Sequence, residues 1–197
     1  MSLGGPIFDL AKLKWLNGRY LREELSEDDV VERLIQWKLN ATKFRKILPH
    51  ALQRLENFSD FIPLTEFLFN EHAEITLENL IGKLDPGEAA KLLKICEWEL
   101  EKIKNWQRDE IFILFQDIAK TEEKKLKEIL PLFFQAMSGK SISLPLFDAM
   151  SILGPDLVRV RLRKALDLLN SEGVGLSKKG LKVLEKEYRQ KYGNRID

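Results

Sequence analysis

A glycine-proline pair, Gly154-Pro155, interrupts two apolar stripes that both recur at helical spacing. Leu146, Phe147, Met150 and Leu153 form the first stripe, behind Pro145. Val158, Leu162, Ala165, Leu166 and Leu169 form the second. Glycine ends the first helix, and proline is tolerated in the first turn of the next because its missing N–H costs nothing there. LVRVRLR at 157–163 alternates like a strand, but the continuation KALDLLN does not, so the stretch predicts helix. Residues 143–169 therefore read as two helices joined by a sharp turn. Arg159, Arg163 and Lys164 flank the second stripe, either as a row of donors for phosphates or as an ordinary solvated face.

At 197 residues the chain is long enough for a real core in one or two domains, and 44% apolar with 32% charged residues suits a soluble helical protein. The net charge of +1 excludes a globally basic protein, but the charge is uneven. Residues 1–82 carry −3 and 83–153 carry −1, whereas 154–197 hold eleven Lys and Arg against six Asp and Glu. A polyanionic partner should favour the C-terminal part. The single cysteine, Cys96, excludes a disulfide framework within the chain and fits a reducing cytoplasm. His50 and His72 lack ligand-spaced partners, so no metal is expected. The longest apolar run, 111–115, is far too short to span a membrane, and the start MSLGGPIFDL does not read as a signal peptide.

Outward from the Gly-Pro turn, the chain reads as helix after helix. A loop at 2–7 precedes a short helix at 8–16 that Asn17-Gly18 breaks, followed by a turn or two at 19–25. Ser26, with Asp29 three residues on, caps a helix to about 39. Thr42 caps 43–57, bent at Pro49, and 59–69 is helical and rich in aromatics. Thr76 caps 77–84. Asp85-Pro86-Gly87-Glu88 is a helix start for a run to about 104, and a subdomain boundary is expected at 82–86. Helices follow at 107–120 and, capped by Thr121, at 122–137, where Ser138-Gly139 ends the run. SEGVG after Asn170 is a flexible connector, and Ser177 opens a basic helix with Leu181, Leu184, Tyr188 and Tyr192 on one side. The fold class is all-α, about ten helices in two packed subdomains, 1–82 and 83–197, with a helical extension from about 171.

No catalytic motif emerges. GKS at 139–141 lacks the glycine that a phosphate loop needs at 134, where Phe134 stands, and lacks a preceding strand. Glu97, Glu99 and Glu101 alternate onto different helix faces. The aromatics around Phe58, Phe61, Phe67 and Phe69, and around Phe112, Phe115, Phe133 and Phe134, read as core rather than as base-stacking platforms.

Two segments carry a family resemblance. GGPIFDLAKLKWLNGRYLRE at 4–23 resembles the stretch after the catalytic core of bacterial-type glutamyl-tRNA synthetases, with its F-D-x-x-K-L-x-W-x-N-G-x-Y pattern. AMSGKSISLPLFDAMSILGPDLVRVRLRKAL at 136–166 resembles the anticodon-reading end of the same enzymes. The resemblance implies a helical cage that binds the anticodon stem and loop of tRNA(Glu), with tRNA(Gln) a further substrate in some members. It also implies that glutamylation with ATP belongs to a catalytic domain whose motifs are absent here. The chain is thus expected to be the C-terminal part of a cytoplasmic synthetase, inactive alone and without a cofactor of its own. Its expected partners are tRNA and that catalytic domain, and no membrane. Carried onto this sequence, the junction Ser143, Leu144, Pro145 and Leu146 matches the segment that packs against anticodon bases, or is simply a capped helix start. Phe134 stands where the family's P-L-R-x-A-x-T-G pattern has arginine, and would stack on a base or belong to the core. Arg54 lies in the helix that the family uses near the first anticodon base. The rival reading is a helical protein-interaction module that docks a partner on the apolar side of 177–192.

Overall fold

The computed structural model describes residues 9–37, 41–140 and 143–193. Among them are ten α-helices, short 3-10 and π turns, and no strand. Contacts divide the chain into two units, Met1–Lys46 and Ile47–Asp197.

The first unit holds α1 (Leu10–Arg19), a π-helical turn at Tyr20–Glu24, α2 (Glu27–Trp37) and the start of α3 (Ala41–Ala51). Asn17-Gly18 does not break α1, contrary to expectation. A helical glycine costs only about 1 kcal/mol against alanine, and a contact between Trp15 and Arg19 spans this one. Arg19 pairs with Glu23 at 2.5 Å across one turn and lies over the Trp15 ring at 5.2 Å. Ser26 caps α2 as expected, its Oγ accepting from the Asp29 amide at 3.2 Å while Asp29 Oδ2 accepts from the Ser26 amide at 3.1 Å. No described residue of α1, the π turn or α2 is buried. The expected loop at 2–7, Phe8, and the expected end of a helix near 39 lie outside the described residues.

The second unit contains the core. Thr42 is a residue inside α3 rather than its cap, and α3 stops two residues after Pro49. The aromatic stretch after it is helical in three pieces, Phe58–Asp60, α4 (Phe61–Thr65) and Glu66–Leu68. Thr76 caps α5 (Leu77–Ile81), its Oγ1 accepting from the Asn79 amide at 3.3 Å, and Gly82 ends it. The Asp85-Pro86-Gly87-Glu88 start holds. Asp85 Oδ1 accepts from the amides of Gly87 (2.9 Å) and Glu88 (3.1 Å), Pro86 opens α6 (Pro86–Leu100), and the helix stops short of 104. After α7 (Arg108–Thr121) the chain turns at Glu123 before α8 (Leu126–Ser138), so Thr121 is the last residue of α7 and not a cap. Glu128 Oε2 accepts from the Lys125 amide at 3.0 Å to start α8 instead.

α9 (Leu146–Ser171) contains the Gly-Pro turn; Gly154 takes φ 82° and ψ 165°, and the two expected helices meet there. This bent element packs against α5, α6, α7 and α8. Phe115 meets Phe133 edge-on at 4.7 Å and Phe147 at 5.3 Å, fixing α7, α8 and the first half of α9 around one aromatic contact. Trp106 Nε1 donates to the Met150 carbonyl at 3.0 Å and ties the α6–α7 loop to the same half. Phe67, Leu68 and Leu80 share one apolar cluster with α6–α9, so contacts divide the chain after Lys46 where the sequence suggested 82–86. The connector after Asn170 is ordered: the amide of Gly173 donates to Asn170 O (3.1 Å) and that of Val174 to Leu169 O (3.0 Å), a Schellman cap with Gly173 left-handed. Ser177 then caps α10 (Lys178–Tyr192).

Candidate nucleic-acid interface

The α8–α9 junction is built by backbone approach. Gly139 closes α8 in the left-handed region at φ 68°, and a β-carbon there would sit 2.2 Å from the Glu74 carbonyl oxygen. Only glycine lets the 70–74 segment lie against the end of α8. Lys140 Nζ donates to the Pro63 carbonyl and to Glu66 Oε1, each at 2.5 Å, drawing α4 to the same place. Of the four junction residues, Ser143, Leu144 and Leu146 are buried, Leu144 completely, and Pro145 is half-buried. Their apolar side chains belong to the core. What this junction offers a ligand is the Pro145 ring and backbone.

Arg161 organises the region, although the sequence reading passed over it. Its guanidinium donates to the carbonyls of Phe67 and Asn70 at 2.5 Å, of Glu71 at 3.4 Å, and of Met137. These acceptors lie in the 3-10 turn at Glu66–Leu68, in the loop after it and in the last turn of α8, where carbonyls left without a helical partner attract a cation. Burial pulls the group down to about 10, so it remains charged at neutral pH. The helical spacing held the clue: Arg161 is three residues after Val158, on the buried stripe.

The remaining candidates separate. Lys164 is exposed and lines a cavity of about 540 Å³ with Asn70, His72, Gly139 and Lys140. Phe134 is half-buried and lines a different cavity of about 720 Å³ with Asn79, Leu130 and Pro131. Arg159 and Arg163 do not form an unpaired row of donors. Arg163 Nε donates to Glu97 Oε1 at 2.6 Å, and Arg159 lies 3.8 Å from both Glu101 and Asp156. Burial pushes the Glu97 carboxyl up, but hydrogen bonds and charges from Lys94 and Arg163 outweigh it and hold it below the ordinary value. Arg54 is exposed in a 3-10 turn at Leu52–Arg54. Phe58, expected in the core, is 97% exposed. It lies inside a turn in which Asp60 Oδ2 accepts from the amides of Glu56 (3.0 Å) and Asn57 (2.8 Å). The apolar face of α10 is not open to a docking partner, since Leu184 and Tyr192 are buried.

Among the described residues no three His, Cys, Asp or Glu side chains cluster as metal ligands, and no helix is long and apolar enough to cross a membrane. The surface provides backbone groups, half-buried rings and lysines, which suit binding.

A family model described as an anticodon binding domain matches residues 29–166. A glutamate–tRNA ligase from Saccharophagus degradans is 41% identical over 189 residues, covering 95% of this chain and 37% of that protein. One from Pseudomonas aeruginosa is 41% identical over 187 residues, with coverage of 94% and 37%. The chain thus spans little more than a third of these relatives. The crystal structure of a glutamate tRNA ligase from Elizabethkingia meningosepticum superposes with a TM-score of 0.61 at 18% identity, over 84% of this chain and 34% of that one, a likeness of fold.

Proposed function

Because the chain belongs to the anticodon binding domain family, we propose that it is the tRNA-holding part of a glutamate–tRNA ligase. The carrying observation is the family match over residues 29–166 together with 41% identity to named glutamate–tRNA ligases. In this reading the chain grips the anticodon stem and loop of tRNA(Glu). Glutamylation with ATP takes place in a catalytic domain outside this sequence, and the setting is the cytoplasm. Single-stranded loops are read by splaying bases onto aromatic or apolar surfaces and by hydrogen bonds to their edges. Pro145, the backbone of 143–146, Phe134 and Lys164 supply such groups, with Arg54 at a further exposed position and Arg159 and Arg163 reaching RNA only by sharing their carboxylates. Trp15, Leu16, Leu34 and Trp37 of the first unit are exposed, and the catalytic domain is the apolar partner we assign to them. Discrimination between tRNA(Glu) and tRNA(Gln) then rests on the anticodon contacts.

The test is binding of the chain to tRNA(Glu) across a salt series, beside the same tRNA with its anticodon replaced. Salt-dependent affinity that drops with the replacement is expected. Equal affinity for both RNAs would refute anticodon reading.

A further inference from the structure

Four of the cations of α10 form a row, while another, Lys191, pairs with Glu122 at 3.3 Å. Lys179, Lys182, Lys186 and Arg189 recur at i, i+3, i+7 and i+10, which sets them along one side of the helix. All four are exposed, and none of their side chains has an ion pair or hydrogen bond among the described residues. By contrast Lys91, Lys94, Lys124, Arg159 and Arg163 are each held by a carboxylate. The opposite side of α10 is anchored. Leu184 and Tyr192 are buried, Tyr188 Oη donates to Glu99 at 2.7 Å, and Tyr192 Oη donates to Glu122 at 3.2 Å. The ridge therefore cannot roll away from solvent. At a rise of 1.5 Å per residue its four charges extend over about 15 Å. Its first member, Lys179, lines a cleft of about 400 Å³ against α6 with Gly87, Lys91 and Val183.

The lack of an apolar anchor decides the kind of partner. Protein interfaces centre on buried aromatic or apolar residues, and a membrane-surface helix inserts its apolar face. Here Leu184 and Tyr192 of that face are already buried, and beside the ridge lie Val183 and the half-buried Leu176, with no exposed aromatic among the described residues there. A line of flexible point charges suits a polyanion recognised by charge alone. We propose that Lys179, Lys182, Lys186 and Arg189 hold the phosphate backbone of the bound tRNA and supply a sequence-independent share of its affinity. The inference rests on the RNA-binding reading above and adds a contact outside residues 29–166, which the family model matches.

The test is a variant carrying Lys179→Gln, Lys182→Gln and Lys186→Gln, all at exposed sites, with helicity checked by circular dichroism. Its binding to tRNA(Glu) and to the anticodon-replaced tRNA is measured over the same salt series as the unaltered chain. Each lost phosphate contact lowers the slope of log Kd against log salt by about 1, so a drop of about 2 to 3 is expected. The affinity ratio between the two RNAs should stay constant, because the ridge touches no base. An unchanged slope and affinity in the variant would overturn the inference while leaving the anticodon reading intact. Unchanged RNA binding with lost binding to phosphatidylserine vesicles would overturn it in favour of a membrane surface. Failure of the unaltered chain to bind either RNA would overturn both, and that result is visible without the variant.

Discussion

Arg161 carries a full charge into a site where it is 1% exposed, and among the described residues no carboxylate meets it. Backbone carbonyls take the place of a counter-ion, which is workable because each is a fixed dipole already left over at the end of a helical turn. Removing the fork leaves buried acceptors unsatisfied, a mechanism that accounts for many of the larger single-site losses of stability. Arg161→Lys keeps the charge but offers a point donor in place of a planar fork. It should lower stability by about 2–3 kcal/mol, read as a fall in urea midpoint. Arg159→Gln, at a half-exposed site with two long contacts, should change the midpoint little. Three arginines at 159, 161 and 163 look alike in the sequence, and only helical phase separates the buried one from its neighbours. That phase was legible; the four carbonyls that make burial tolerable come from segments up to 94 residues away and were not.

At the scale of elements, two turns with positive φ make opposite predictions. Gly154 lies at φ 82°, ψ 165°, a region that essentially only glycine occupies, and a β-carbon there meets nothing within 4 Å. Gly154→Ala should therefore destabilise through the backbone alone, by about 1–3 kcal/mol. Glu123 holds φ 55° in the turn that ends α7, where the Lys124 amide donates to Ala119 O at 2.8 Å and the Glu123 amide to Lys120 O at 3.2 Å. Glycine is the usual residue at that position of a Schellman cap. Relief of the left-handed strain outweighs the extra chain entropy of glycine, so Glu123→Gly should raise stability by up to about 1 kcal/mol. Urea midpoints shifted in opposite directions would confirm the pair. The same two turns explain what the sequence shows of helix ends. Gly-Pro at 154–155 announces its turn, whereas Glu123 hides one, which is why Thr121 reads as a cap and is not. Asn17-Gly18 fails in the other direction, as a written stop that the contact of Arg19 with the Trp15 ring spans.

Two carboxylates whose side chains are almost fully covered clip α6 to α9 and to α10. Glu97, 3% exposed, joins α6 to α9 through Arg163, and Glu122, at 5%, joins α6 to α10 through Lys91 at 2.7 Å and Lys191 at 3.3 Å. Burial pushes the Glu122 carboxyl up, but the hydrogen bond and charge of Lys91 and then Lys191 outweigh it, so both groups titrate below the ordinary value of 4.5. Between the folded and ordinary values the unfolded chain binds more protons. The stability these groups contribute is therefore complete above about 4.5 and lost as the pH falls through the folded values. The urea midpoint should hold steady from about pH 7 to 5 and drop below about 4.5, and Glu122→Gln should flatten that drop. The sequence by itself determined the all-α class, the helix starts at Ser26, Thr76, Asp85 and Ser177, the Gly-Pro turn and the family resemblance, because caps, turns and stripes are set by residues within a few positions of each other. It did not determine which charges remain available to a ligand. Arg159 and Arg163 look free until Glu97 and Glu101 are brought to them, while Lys179, Lys182 and Lys186 of α10 face solvent because the opposite side of that helix is fastened down. Those pairings join residues about 60 to 70 positions apart in the chain, and only tertiary packing brings such residues together.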